Sequence, residues 1–176
     1  MSKSLGNFYT LRDLLLKGYK ASAIRYLLFS VPYHKQLNFT FDGLKQAENS
    51  VERLRNIKDR LERGRFPDGS SPEIQKLATD TEQKMRAGME DDLNTAQALA
   101  AIFDMTRETN IVADAGKLHR DDARRLLHVL EEFDDIFLIK SKSLRFGGAL
   151  QVLILEPAIV IGNEAIDPDD FMALLK

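Results

Sequence analysis

The chain has 176 residues, 44% of them apolar and 30% charged, which is the balance of a globular protein able to build one good core or two small ones. It has no cysteine, which excludes a disulfide framework and a thiolate metal site, and no run of about 18 apolar residues, which excludes a spanning helix. The net charge of −2 hides an asymmetry: residues 1–70 hold 13 Lys+Arg against 7 Asp+Glu, residues 71–140 hold 9 against 15, and the rest hold 3 against 5, so a polyanion is drawn to the N-terminal half.

The first stretch, Met1-Ser2-Lys3-Ser4-Leu5-Gly6-Asn7, reads as a phosphate loop. An ammonium between two hydroxyls, followed by a glycine and an asparagine that tolerate positive φ, aims charge and backbone N–H groups at a polyphosphate. The same composition also fits a solvated, frayed terminus.

Thr10 with Asp13 three positions on predicts an N-cap for a short helix from Leu11 to Lys17, stopped by Gly18, with Leu11, Leu14 and Leu15 as its apolar stripe. A second helix is expected from about Lys20 to Ser30, with Ala23, Ile24, Leu27 and Leu28 inward and Arg25 outward, ended by Val31-Pro32. Tyr33 to Phe41 is a connector in which Tyr33, His34, Lys35, Phe39 and Phe41 interleave aromatic and basic character. That pattern suits RNA stacking and phosphate pairing, and equally suits phenylalanines that pin a loop onto the helices.

Thr40 is placed to cap a long helix from Phe41 to about Arg63, closed by Gly64. Its Leu44, Ala47, Val51, Leu54, Ile57 and Leu61 keep a spacing of three or four and predict one packed stripe. Arg53, Arg60 and other basic residues lie on its remaining faces. Interspersed Glu48, Glu52, Asp59 and Glu62 favour pairing in solvent, with a phosphate track as the alternative.

Phe66 to Ser71 is a mobile loop by composition. Ser71-Pro72-Glu73 then opens a helix reaching about Met89 and burying Ile74, Leu77, Ala78, Met85 and Met89. The acids Glu90-Asp91-Asp92 precede a helix that Asn94 caps with Gln97 as box partner. Its expected buried face is Leu93, Ala96, Leu99, Ala100, Phe103 and Ile111. The triplet invites a divalent-cation reading, but acids at a helix start are already favoured by the dipole.

The last strongly periodic helix runs from about Arg120 to Ile136, with Leu126, Val129, Leu130, Phe133, Ile136 and Phe137 on one side. Its Arg120, Arg124, Arg125, Asp121 and Asp122 are read as a solvated face. Beyond Lys140, Leu150 to Ile161 is divided by Pro157 into two strand-length pieces, and Asp167-Pro168-Asp169-Asp170 caps a final short helix, Phe171 to Leu175. His34, His119 and His128 share no ligand spacing, so no metal site is expected.

Met1 to Phe8 followed by the helix with Ala23-Ile24-Arg25-Tyr26-Leu27-Leu28 resembles the second signature, Lys-Met-Ser-Lys-Ser, of class I aminoacyl-tRNA synthetases. Tyr33-His34-Lys35-Gln36-Leu37-Asn38-Phe39 and the run from Met89 to Ala100 make the likeness closest to the cysteinyl-tRNA synthetases, over residues 1 to about 140. The signature's first lysine has no counterpart here, nor has the upstream domain that carries the family's His-Ile-Gly-His signature and zinc site.

The resemblance implies an all-α fold, a helical bundle of the class I anticodon-binding type, with a short C-terminal α/β tail. The implied divisions are residues 1–40 (signature loop and connecting helices), 41–140 (tRNA-binding bundle) and 141–176 (tail). It implies the C-terminal, tRNA-binding portion of a cysteine–tRNA ligase, inactive alone. Alternatives are a fragment of the related cysteine:glucosaminyl-inositol ligase or a non-enzymatic helical interaction module.

On this resemblance Lys3 contacts ATP within a loop shaped by Met1, Ser2 and Ser4. The tRNA-binding candidates are Arg25, His34, Lys35, Arg53 and Arg60. ATP with magnesium belongs to the full-length enzyme and zinc to its other half, with neither expected on this chain. The expected partners are tRNA and a catalytic domain, with no membrane and no DNA. No basic-then-apolar leader is present, so the expected location is cytoplasmic.

Overall fold

The computed structural model describes residues 9–137 and the backbone of four short strands further on; Met1 to Phe8, the remainder of the tail and the helix expected at Phe171 to Leu175 lie outside the described residues. The chain divides into two compact units, residues 1–139 and 140–176.

Among the described residues the first unit holds six helices: α1 Leu11–Leu16, α2 Ala21–Phe29, α3 Phe41–Arg63, α4 Pro72–Glu90, α5 Thr95–Asp114 and α6 Arg120–Phe137. Local chemistry sets most of their ends. Thr10 Oγ1 accepts the Asp13 N–H at 3.2 Å while the Asp13 carboxylate accepts the Thr10 N–H at 2.7 Å, a complete capping box. Gly18, with φ +85°, turns the chain out of α1 where another residue would be strained.

Thr40 Oγ1 accepts the Gly43 N–H at 3.0 Å and starts α3, but Gly64 ends it in an extended rather than a left-handed conformation. Asn94 caps α5 through Gln97 N–H at 3.2 Å. The reciprocal bond expected from Gln97 is absent, because the Asn94 N–H is already taken by the Gly88 and Asp91 carbonyls at 2.8 and 3.0 Å.

Helix α3 is the spine. Its N-terminal Leu44 and Ala47 join Leu14, Ala23, Ile24 and Leu27 in a small core, while Val51, Leu54, Ile57 and Leu61 enter the main core with α4, α5 and α6. All six positions of the expected stripe are buried. Arg53 meets Phe103 and Arg60 meets Asn110, so α3 and α5 run the same way. Gln75 meets Asp122 and Glu82 meets Arg125, so α4 and α6 do too. The four long helices thus form an up-down-up-down bundle. Tyr26 of α2 packs edge-on against Phe103, and Phe29 against Phe137, which stacks on Phe133 at 4.6 Å.

Several expected faces are corrected. Only Leu14 of the α1 stripe is buried, Leu11 and Leu15 being exposed because nothing among the described residues covers that side. Leu28 is 62% exposed and Ile136 half exposed, each one step round the helix from the core-facing row. In α5 the buried row is Ala98, Leu99, Ile102, Met105, Thr106 and Thr109, not Leu93, Ala100 and Ile111, all exposed. Leu77, Met89, Ala96 and Phe103 are only partly buried.

Asp122, expected in solvent, is fully buried. The loop expected to be mobile is tied to the start of α6: Pro67 and Gly69 carbonyls accept the Arg120 and Asp121 N–H groups at 2.8 and 3.2 Å. The acidic triplet sits across the end of α4, not simply before a helix, and Asp92 and Leu93 take positive φ of 48° and 54° there.

The second unit is a four-stranded antiparallel sheet in the order β1 Ser143–Arg145, β2 Gln151–Leu155, β3 Ala158–Ile161, β4 Glu164–Ile166. Leu155 pairs with Ala158, and Ile161 with Glu164. The two expected strand pieces are β2 and β3. Flanking β1 and β4 are too short for a sequence pattern to announce them.

Candidate nucleic-acid interface

The connector between α2 and α3 gathers the interleaved aromatic and basic residues at one end of the bundle. Ser30 ends α2 with its hydroxyl donating to the Leu27 carbonyl at 2.7 Å, and the Lys35 N–H returns to the Pro32 carbonyl at 2.9 Å, making a turn that projects Tyr33, His34 and Lys35 into solvent. Phe39 and Phe41 behave differently. Phe39 lies against the small core, and its ring and that of Phe41 cluster with Tyr9 and Tyr19 at 5.1 to 6.1 Å. Lys17 Nζ sits 5.9 Å from the rings of Tyr9 and Phe41. The two phenylalanines therefore pin the connector, while Tyr33, 68% exposed, offers an open ring.

Opposite this turn is Asp92. The Tyr33 hydroxyl donates to its carboxylate at 2.8 Å, and His34 Nδ1 stands 3.8 Å from its other oxygen. Losing the tyrosine proton beside a carboxylate would set two negative charges together, so the hydrogen bond to Asp92 raises the Tyr33 pKa above its ordinary value. Sequence reasoning missed Asp92 as a partner, because a contact across 59 residues leaves no local signal.

The other sequence candidates are dispersed. Arg25 is half-buried on α2. Arg53 and Arg60 lie two turns apart on the α3 face that meets α5: the Arg53 guanidinium is 5.3 Å from the centre of the Phe103 ring, and Arg60 donates to Asn110 at 3.0 Å and to Asp114 at 2.6 Å. Met1, Ser2, Lys3 and Ser4 lie outside the described residues. Among the described residues no group of three or more metal-binding side chains could hold an ion, and no helix is long and apolar enough to cross a membrane.

Comparison with known proteins bears on this arrangement. Residues 84–139 match the DALR domain, and residues 1–49 match the catalytic domain of class I (C) tRNA synthetases. A cysteine–tRNA ligase of Koribacter versatilis is 56% identical over 139 residues, covering 79% of this chain and 28% of that protein. Those of Solibacter usitatus and Protochlamydia amoebophila are 47% and 40% identical over 147 and 136 residues, covering 84% and 77% of this chain. In sequence, this chain is similar to the cysteine–tRNA ligases.

The chain spans 28 to 32% of the length of these ligases. The first match ends at residue 49, between Ala47, which faces the small core, and Val51, which opens the main one. The DALR match takes in the end of α4, all of α5 and α6, and Asp92.

Proposed function

We propose that this chain is the tRNA-contacting part of a cysteine–tRNA ligase and works with a class I catalytic domain that binds ATP and cysteine. The observation that carries this is the continuous likeness to cysteine–tRNA ligases across α1 to α6, joining a catalytic-domain segment to a DALR domain of the helical, anticodon-binding kind. The relatives' names favour cysteine–tRNA ligase over the glucosaminyl-inositol ligase and over a non-enzymatic module.

His34 and Lys35, set beside the open Tyr33 ring, are the proposed RNA contacts, through phosphate pairing and base stacking. Arg25, Arg53 and Arg60 are weaker candidates: Arg25 is half-buried, Arg53 reaches RNA only by leaving Phe103, and Arg60 only by leaving Asn110 and Asp114. Lys3 is proposed as the ATP contact, an ammonium that would offset charge on the departing pyrophosphate, with Met1, Ser2 and Ser4 proposed to shape the loop. Magnesium would accompany ATP, zinc would belong to the catalytic partner, and the protein would act in the cytoplasm.

The test is tRNA binding by this chain, followed by electrophoretic shift over a series of salt concentrations. The expected result is binding at low salt whose logarithm falls linearly with the logarithm of salt. No shift at any salt would sink the reading in favour of an interaction module.

A further inference from the structure

The end of the bundle opposite the connector carries a second feature. There the last turn of α3, the turn after it and the first two turns of α6 enclose a groove of about 460 Å³. Its apolar lining residues are Leu61, Phe66, Ala123 and Leu127. The exposed Arg65, Arg120 and Arg124 line it as well, with Glu62 as the one acid of the lining.

Three features bear on what the groove can take. Arg120 pairs with Asp68 at 2.6 Å and Arg124 with Asp121 at 3.5 Å, exposed pairs whose carboxylates do not line the groove and which a phosphate would have to displace. Glu62 is paired with Lys58 at 3.4 Å, which offsets the lining's negative charge. Gly64 lets the chain fold back on itself: a Cβ there would collide with the Phe66 ring and with the Arg60 carbonyl. A lining that sets Leu61, Phe66 and Leu127 beside three exposed arginines suits a ligand with one flat uncharged face and one anionic edge.

We infer that this groove takes an unpaired nucleotide of RNA, its base laid on Phe66 and Leu127 and its flanking phosphates met by Arg65, Arg120 and Arg124. The inference rests on the proposed RNA-binding role and adds a second contact point. The two points are separated by the length of α3, 23 residues or roughly 35 Å at about 1.5 Å per residue, so one folded RNA would engage both ends of the bundle. A base already paired in a duplex cannot lie on Phe66, so the ligand is a loop, bulge or end.

The experiment measures tRNA affinity and its salt slope for the intact chain and three variants. The double variant Arg65→Gln/Arg124→Gln spares Arg120, which ties the loop to α6. It should weaken binding about tenfold and make the slope shallower by about two, one per lost phosphate contact. Phe66→Leu keeps an apolar side chain but not an aromatic face, and should weaken binding about fivefold or more with the slope unchanged, because stacking releases no counterion.

Lys84→Gln/Arg86→Gln, an equal charge change at exposed positions of α4, should leave both quantities where they were. A short single-stranded oligoribonucleotide should compete for the groove, and a blunt RNA duplex or polyglutamate should not. If the parent chain binds tRNA but the groove variants match the α4 control, the groove inference fails while RNA binding stands. Competition by polyglutamate together with an indifferent Phe66→Leu would assign the groove to an acidic protein and overturn the inference. If the parent binds no tRNA at any salt, the proposed function and this inference fall together.

Discussion

Both carboxylate oxygens of Asp122 accept the backbone N–H of Ser71, at 2.9 and 3.0 Å, and so fasten the start of α6 to the start of α4. The same carboxylate accepts from Gln75 Nε2 at 3.0 Å and from the His119 N–H at 3.4 Å, the latter at the N-terminus of its own helix, where a negative charge is favoured. Asp122 is fully buried, so its removal would strand several donors together. Asp122→Ala should lower stability by about 2 to 3 kcal/mol, seen as a lower urea midpoint at an unchanged m-value. Its exposed neighbour is the control: Asp121→Ala should stay within about 0.5 kcal/mol. Equal effects from the two would show that the buried carboxylate holds nothing together.

The shared spine makes a second prediction. Leu44 is buried in the small core and Leu54 in the main one, yet both stand on α3. A helix is a cooperative element, and unfolding half of it exposes the other core. Leu44→Ala and Leu54→Ala should each cost about 2 to 5 kcal/mol, and each should move one common thermal transition. Two separable transitions, with Leu44→Ala shifting only the first, would mean that the small core unfolds by itself.

Legibility in the sequence followed how local each cause was. The α3 stripe could be read because its apolar residues repeat every three or four positions amid charged ones. Thr10, Thr40 and Asn94 could be read as caps because their partners lie three residues away. Helix α5 was misphased for the opposite reason. It is rich in alanine and threonine, and buried Thr106 returns its hydroxyl to the Ile102 carbonyl at 2.8 Å, so apolar and polar residues do not mark the two faces. In the candidate interface, His34 and Lys35 were legible as residue types, whereas Asp92 opposite them and the groove at the other end of the bundle depend on contacts between distant segments.

Alkaline titration should report on Tyr26. Its ring is packed against Phe103, and burial raises its pKa above the ordinary value of 10.0, opposed in part by a hydrogen bond with Ser50 and by the charge of Arg53. The folded state therefore holds this proton more tightly than the unfolded state does. The stabilisation is fully present below pH 10 and is lost as pH rises from there through the raised folded value. Melting temperatures measured from pH 8 upward should fall beyond about pH 10, and Tyr26→Phe, which cannot ionise, should fall less. Parallel curves for the two proteins would show that Tyr26 contributes nothing to the alkaline limb.

Asp92 is placed to restrain the connector, and its removal should be felt in RNA binding. Its carboxylate holds the Tyr33 hydroxyl at 2.8 Å and faces His34 at 3.8 Å, so a phosphate approaching His34 meets a negative charge next to it. The site is largely exposed, which keeps the repulsion modest. On the proposed function, Asp92→Asn should tighten tRNA binding about two- to fivefold at low salt, a change worth about 0.4 to 1 kcal/mol, with the gain fading as salt rises. Lys35→Gln should weaken binding and make the salt slope shallower by about one. The double variant separates two roles for Asp92. If the carboxylate acts as a local charge, the two effects add to within about 0.5 kcal/mol. If Asp92 instead positions the connector for RNA, Asp92→Asn will weaken binding at every salt concentration, and the repulsion account is wrong.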